Sequence, residues 1–222
     1  METKKTSVKS YIVQYALVFL FTAGASFSQT LSLKANIGVC ACWDTFSMNV
    51  YELIGLKVGT FSILANSFLV FLQFLMLGRK NFGVRHLLQV PYVVLYGLFI
   101  NFFYYNLLAP IEINSYAVKV LLVVIAYVGI AVCLGPLTVL NLIMMSVNSC
   151  CNVASGKFQI DYAKIRVGLD AGCILLSLIS SFLFHLPIRV REGTIMGMLI
   201  LGPTEKVTMK YCQGFIKWVK EL

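Results

Sequence analysis

The segment 36-NIGVCACWDTF-46 places an acid and an indole between two long apolar runs. Asp44 is a reasonable N-cap for a short helix over 45–55, and in that interpretation it lies in an external loop. Alternatively, the segment re-enters the membrane, and the helix N-terminus presents its free N–H groups to a ligand. Trp43 is either an aromatic-belt residue or a stacking surface for a substrate. We include Trp43, Asp44 and Gly38 in the candidate substrate site.

Two further acids lie within apolar segments of the second half. An acid at the centre of a membrane span costs on the order of 2.5–3.5 kcal/mol, so it usually pairs or functions. Asp170 either pairs with Arg166 across an i,i+4 spacing or relays a proton or cation. Glu205 follows Gly202 and Pro203, and a proline inside a helix removes a backbone donor and kinks the helix. Interrupted helices with polar neighbours are typical of transport sites, although a kink can also serve packing. Asp170, Glu205 and Gly202 join the predicted substrate site.

Asn66 and Asn101 are amides within apolar segments. Each can hydrogen-bond across a helix interface, and we include both as secondary candidates for substrate binding. The chain has seven cysteines, an odd number that excludes a complete disulfide framework, and their close pairs lack the C-x₂₋₄-C spacing of zinc sites. No G-x-S-x-G, H-E-x-x-H or Walker motif occurs. We therefore expect no enzyme activity, no metal and no cofactor.

The composition indicates an integral membrane protein. Hydrophobic residues make up 59% of the 222 residues and charged residues only 12%, against about 25% charged in a soluble domain. One core of this size cannot bury so many apolar side chains, so lipid must solvate them. The net charge of +9 could suggest nucleic acid, but the 18 Lys and Arg fall in short clusters between apolar runs. That distribution is typical of lipid contacts and topology signals, so we expect the bilayer as partner and no nucleic acid.

Six apolar segments are long enough to cross a bilayer. They cover about 11–33, 58–78, 87–108, 117–146, 167–187 and 194–214, with polar breaks between them such as 148–164. The basic N-terminus resembles a secretory signal, but we interpret the run that follows as a retained first helix. With the N-terminus inside, thirteen Lys and Arg lie inside and five outside. This bias predicts a multi-pass protein of the cell membrane with both termini cytoplasmic.

Short motifs recur at offsets of 105–109 residues. Gly24 has a counterpart in Gly129, and 56-LKVGT-60 has one in 165-IRVGL-169. The two repeats cover about 11–108 and 117–220 of a single transmembrane domain, 1–222. Because each repeat holds three helices, the second crosses the membrane upside down relative to the first. The predicted fold is all-α: six transmembrane helices as two inverted three-helix repeats, with short re-entrant or interfacial helices.

Several of these motifs together resemble the YczE/YitT-like bacterial membrane proteins. The matching positions are Gly24, Gly38, Trp43, Asp44, Gly59, Gly193, Thr194, Gly202 and Pro203. Where that family usually has proline before Trp-Asp, this chain has Cys42. The resemblance spans most of the chain and implies a bacterial inner-membrane protein that functions in transport, without indicating a substrate.

Three functions are open at this point. The first is a small-molecule or ion transporter in which one three-helix half moves against the other, with Asp44, Trp43 and either Asp170 or Glu205 lining the path. The second is a substrate-binding membrane subunit of an ATPase-energised uptake complex. The third is a non-transporting regulatory or accessory protein. A homo-oligomer or a partner membrane subunit is compatible with each of them.

Overall fold

The computed structural model describes residues 8–38 and 42–221, apart from the side chains of Val8, Cys42 and Trp43. Within these ranges the chain forms helices joined by loops, with no strand. The helices are α1 (Val8–Ala35), α2 (Cys42–Ile54), α3 (Val58–Asn81), α4 (Val84–Leu87), α5 (Gln89–Phe102), α6 (Tyr116–Leu140), α7 (Ser146–Phe158), α8 (Tyr162–Phe184) and α9 (Glu192–Glu221). A π-helical turn, Phe103–Leu107, continues α5. The predicted all-helical fold class is confirmed.

Five helices are long and apolar enough to cross a membrane. They are Lys9–Ala35, Val58–Asn81, Val84–Leu107, Tyr116–Leu140 and Tyr162–Phe184. Each buries a third or less of its most apolar stretch inside the protein, and large side chains such as Phe182 point outward. Because so much exposed apolar surface is unfavourable in water, lipid must cover it. The chain is a multi-pass membrane protein, as predicted.

The sixth predicted span, 194–214, is not among these five helices. It lies in α9, which is long enough at 30 residues. Its middle carries Glu205, Lys206 and Lys210, and charged side chains are costly in contact with lipid. By length and composition the described chain therefore has five candidate spans rather than six.

Helix α9 nevertheless runs antiparallel to α1 along the whole length of that helix. The Ser10 hydroxyl donates to the carbonyl oxygen of Val219 at 2.7 Å, and the backbone N–H of Gly193 donates to Ile37 O at 2.9 Å. We call the end where α1 begins and α9 ends the lower end of the molecule, and the opposite end the upper end. The first and last described helices therefore begin and end, respectively, at the lower end.

The helices occur in the same order twice. The first half consists of the long helix α1, the 13-residue helix α2, the long helix α3 and a further long segment that contains α4 and α5. The second half has the same order of long and short elements, in α6, the 13-residue helix α7, α8 and α9. The short helix of the second half, α7, lies mostly within the stretch 148–164, which hydropathy predicts only as a polar break, and begins two residues before it. Its composition is too polar to resemble a span, although it is helical.

Each short helix packs against a long helix of the other half, α2 on α8 and α7 on α3. Buried hydrogen bonds fix both crossings. Asn49 Nδ2 donates to Ser177 O at 3.0 Å and to Ser180 Oγ at 2.8 Å, and Gln73 Nε2 donates to Ser146 O at 3.1 Å. Since unsatisfied polar groups are expensive away from water, these bonds favour the two crossings over looser arrangements.

The two first helices of the halves, α1 and α6, cross closely at small residues. A Cβ atom on Gly24 would lie 2.8 Å from Cys133 Sγ, and one on Gly129 would lie 2.5 Å from Ser28 Oγ. Small side chains let two helix backbones approach each other inside a membrane. Glycine at these two positions therefore allows the close approach of α1 and α6.

One predicted helix end and one predicted helix interruption differ from the structure. α6 ends at Leu140 rather than near residue 146, because Asn141 adopts a left-handed conformation with φ of 51°. α9 continues without interruption through Pro203, so the predicted break beside Glu205 is absent. Proline still removes one backbone donor there, and the helix tolerates this loss as membrane helices commonly do.

Candidate functional site

A cavity of about 210 Å³ lies between the two halves. We call it the central cavity. Its wall combines the apolar side chains of Ile130, Leu134 and Leu201 with polar groups from both halves of the chain. The acids Asp44, Asp170 and Glu205 and the amide Asn66, all predicted from the sequence as substrate ligands, line this one space.

Asp44 is the most buried of the three acids. α2 begins at Cys42, so Asp44 lies in its first turn and is not the predicted N-cap; the helix dipole still favours a carboxylate there. Its side chain is only 6% exposed and accepts a hydrogen bond from Nε2 of Gln29, which is 4% exposed. Among the described residues Asp44 forms no ion pair. The helix that carries Asp44, α2, is not one of the five spanning helices. Burial raises the pKa of Asp44 to about 7, and the hydrogen bond from Gln29 opposes part of this rise.

Asp170 has a cationic partner. Arg166 Nε lies 3.2 Å from Asp170 Oδ2 across the predicted i,i+4 spacing of α8, and Arg166 Nη1 donates to Asn148 Oδ1 at 2.8 Å. The two charged side chains are 37% and 29% exposed, so water screens their attraction. The pairing interpretation of Asp170 agrees with this geometry, and a relay role remains a prediction.

Glu205 and Asn66 are held by neutral groups. Glu205 Oε1 accepts a hydrogen bond from Thr138 Oγ1 at 3.1 Å, which joins α9 to α6. Asn66 Nδ2 donates to Ser62 O at 2.9 Å, one turn earlier in α3. Both side chains keep further hydrogen-bonding capacity on the central cavity, because a carboxylate accepts several bonds and an amide both donates and accepts.

Three predicted site residues do not reach the central cavity. Asn101 Oδ1 accepts from the backbone N–H of Gly59 at 2.9 Å, so its amide joins α5 to α3. Gly38, with φ of 105°, packs against the start of α9, where a Cβ atom would lie 3.0 Å from Thr194 N. Gly202 is exposed on α9. The side chain of Trp43 lies outside the described residues.

Four polar residues on the cavity were not predicted. Gln29 and Asn148 contribute amides, Tyr96 contributes a phenol and Ser62 contributes a hydroxyl. Gln29 could have been predicted from the sequence, because it shares a polar stripe of α1 with Ser26 and Thr30. This stripe is the buried face of the helix. A polar stripe on an otherwise apolar membrane helix points to the interior of the bundle.

A layer of four buried apolar residues lies between the central cavity and the upper end of the molecule. The apolar layer consists of Leu33, Met48, Val58 and Ile100. On their helices Leu33 follows Gln29, Met48 follows Asp44, Ile100 follows Tyr96, and Val58 precedes Ser62, each by four residues. Four residues are about one helical turn and about 6 Å along the axis. The layer is therefore one turn thick on every helix that contributes to it.

Above the apolar layer is a depression of about 370 Å³ at the upper end of the molecule. Leu33 and Met48 form part of its floor, and Tyr104 also packs against the layer. Its rim carries the ion pair between Arg189 and Glu52. One residue layer thus separates the upper depression from the central cavity.

Below the central cavity is a second cavity of about 200 Å³. Leu134, Met145 and Asn148 line both spaces. The lower cavity also touches Asn141 and Asn152, near the end of α6 and in α7. Lys220 Nζ donates to Val139 O, so this end of α6 lies beside the end of α9. The three spaces follow one another from the lower end to the upper end.

A resident metal is not indicated by the described part of the chain, where no three His, Cys, Asp or Glu residues are close enough to hold one ion. Cys150 and Cys151 are buried in α7, and burial raises the pKa of Cys150 to about 11. A thiol in this state is a poor nucleophile and a poor metal ligand at neutral pH.

Lipid-facing helices that surround a polar cavity define the chain as a polytopic helical membrane protein. Residues 12–210 match a family model described as a family of unknown function, DUF6198, and the chain belongs to that family. No curated protein and no solved structure matches the chain.

Proposed function

We propose that this protein is a transporter of a small molecule or an ion, with its substrate site in the central cavity between two inverted repeats. The observation that carries the proposal is the position of this cavity: polar groups of both halves converge on it, one apolar layer closes it above, and a second cavity adjoins it below. A binding site of this kind at a repeat interface is the recurrent arrangement of secondary transporters.

The contacts between α1 and α6 support the inverted repeat. If Gly24 corresponds to Gly129, then Ser28 corresponds to Cys133 at the same offset of 105 residues. The contact of Gly24 with Cys133 and that of Gly129 with Ser28 are then the same contact seen from each half. Reciprocal contacts are the property of a two-fold interface.

Residues that line the central cavity are also related by a constant offset along the sequence. Asp44 and Asn148, Ser62 and Arg166, and Asn66 and Asp170 form three pairs in which the members lie 104 residues apart. The starts of α3 and α8, Val58 and Tyr162, are separated by the same number. We infer that each half contributes equivalent positions to the site and that sequence divergence has made the two walls chemically different.

The inverted arrangement requires a sixth crossing, which we assign to α9. It accompanies α1 from the lower to the upper end, and α6 packs against it extensively. Its Glu205 lines the central cavity, whereas Lys206 and Lys210 are exposed. A carboxylate is tolerated in a spanning helix where it faces a cavity, and long lysine side chains extend along a helix toward the polar interface. The distribution of Lys and Arg favours a cytoplasmic lower end, and the resemblance to the YczE/YitT-like proteins favours a bacterial inner membrane.

In the proposed cycle the halves rock about the close crossing of α1 and α6. The structure then represents a state closed to the outside, with the apolar layer as the closed gate. All four residues of the apolar layer belong to the first half, so opening also requires α1, α2, α3 and α5 to move relative to one another. At the upper rim the halves must separate where the Arg189–Glu52 ion pair joins the segment before α9 to α2. Closing the lower cavity around Asn148 would complete alternating access.

Uptake into liposomes tests the function. The purified protein is reconstituted and a panel of labelled small cations, amino acids and neutral metabolites is offered at a matched membrane potential. We expect uptake of at least one class and, in E205Q, a loss of about tenfold or more, equivalent to about 1.4 kcal/mol. E192Q is the matched control because Glu192 is an exposed acid on the same helix. Equal uptake by E205Q and wild type would contradict a role for the central cavity.

A further inference from the structure

The three acids of the central cavity differ in what stabilises their charge. Asp170 has Arg166 as a cationic partner, and Glu205 has the hydroxyl of Thr138 and remains partly exposed. Asp44 is almost completely buried and has no cation among its described contacts, only the amide of Gln29. A buried carboxyl group without a cation is the group in this cavity for which binding a proton is least costly.

The partner of Asp44 suits both protonation states. An amide donates through its NH₂ group to an ionised carboxylate and, after rotation about its terminal bond, accepts through its oxygen from a protonated carboxylic acid. A lysine or an arginine in the place of Gln29 would hold Asp44 ionised. The amide instead keeps a hydrogen bond while the proton comes and goes.

The charged and titratable groups around Asp44 come from three other helices. Tyr96 of α5, the Arg166–Asp170 pair of α8 and Glu205 of α9 line the same cavity. α1 and α3 supply only amides and hydroxyls, and α7 supplies Asn148. Because Arg166 is already paired with Asp170, the charge left in the cavity is the negative charge of Glu205, which disfavours a second carboxylate on Asp44.

We propose that Asp44 is the proton-binding site of this transporter and that the proton is its coupling ion. The inference rests on the proposed transport function. One proton from water on the side to which the cavity is open forms an O–H bond with the Asp44 carboxylate. That bond breaks toward water on the other side after the halves have moved, so no other reactant is needed.

The test is an infrared difference titration of the protein in liposomes, with protons as the probe. In wild type we expect the carbonyl stretch of one protonated carboxyl group to disappear as the pH rises through neutrality. The band should be absent in D44N and retained in E192Q. In Q29L we expect the band to persist to higher pH, because the donor that stabilises the carboxylate has been removed. Q29L also provides a second variant if D44N fails to fold.

Each outcome decides between the proton site and its alternatives. A band that is lost in E205Q but kept in D44N would assign the proton to Glu205 and overturn the proposal. The absence of any carboxyl band that titrates near neutral pH would overturn it as well. Uptake without this band would refute the proton site alone. The band without any uptake would refute the transport function and, with it, the role of the proton as coupling ion, but would leave Asp44 as a proton-binding residue.

Discussion

Gly24 of α1 lies so close to Cys133 of α6 that a Cβ atom on the glycine would stand 2.8 Å from the sulfur. Gly129 of α6 meets Ser28 of α1 in the same manner. The two helices therefore touch at two neighbouring points, each between a glycine of one helix and a small side chain of the other. This crossing is the pivot of the proposed rocking movement.

A large side chain at Gly24 should destabilise the protein. We expect G24L to lower the free energy of unfolding by about 1–3 kcal/mol, the usual cost of inserting atoms into a packed interior, measured by thermal unfolding in detergent. G168L is the matched control, because nothing lies within 4 Å of a Cβ atom on Gly168 of α8. Equal unfolding midpoints of the two variants would show that the crossing is loose.

The crossing of α2 over α8 depends on Asn49. Its Nδ2 group donates to Ser177, Ser180 and Ser181 of α8, and the side chain is fully buried. N49A should lower stability by about 1–2 kcal/mol, since several interhelical hydrogen bonds are lost at once. N152A, at an exposed amide of α7, is the control in the same thermal unfolding assay. A neutral N49A would mean that α2 is held by apolar packing alone.

The stability of the protein should depend on pH through Asp44. Burial raises the pKa of Asp44 from 3.8 to about 7 in the folded protein. Folding therefore favours the protonated form of Asp44. Below pH 3.8 the carboxyl group is protonated in the folded and the unfolded protein and does not lower the free energy of unfolding. As the pH rises from 3.8 to about 7, the free energy of unfolding falls. D44N cannot ionise, so its stability relative to wild type should increase across this window by up to about 4 kcal/mol. Thermal unfolding at several pH values checks this, and a difference that is constant with pH would contradict it.

The sequence predicted the convergence of the acids better than it predicted the elements that hold them. Asp44, Asp170, Glu205 and Asn66 are polar groups within apolar segments, and such groups avoid lipid by turning to a common interior. Their meeting on one cavity follows from that requirement. Asn101 also turns away from lipid, but it does so by accepting a hydrogen bond from the backbone N–H of Gly59. No spacing pattern in the sequence reveals this contact.

The register of the predicted repeat depends on which positions of the two halves are compared. The motif match of 56–60 with 165–169 implies an offset of 109 residues, whereas the starts of α3 and α8 differ by 104. Two or three shared residue types do not fix a register, because valine and glycine recur by chance in membrane helices. The short helix α7 gave no hydropathy signal because serines make up half of its buried residues, and Ser149 Oγ donates a hydrogen bond to Gln73 Oε1 of α3.

Access to Asn66 from each side of the membrane tests the transport mechanism most directly. N66C is placed in a cysteine-free variant and treated with a membrane-impermeant thiol reagent, in intact cells from outside and in inverted membrane vesicles from inside. Alternating access predicts labelling from both sides, slower from outside, where the apolar layer must open. It also predicts that adding M48S to thin the layer accelerates outside labelling alone. Labelling from one side only, unchanged by M48S, would contradict a transport path through the central cavity.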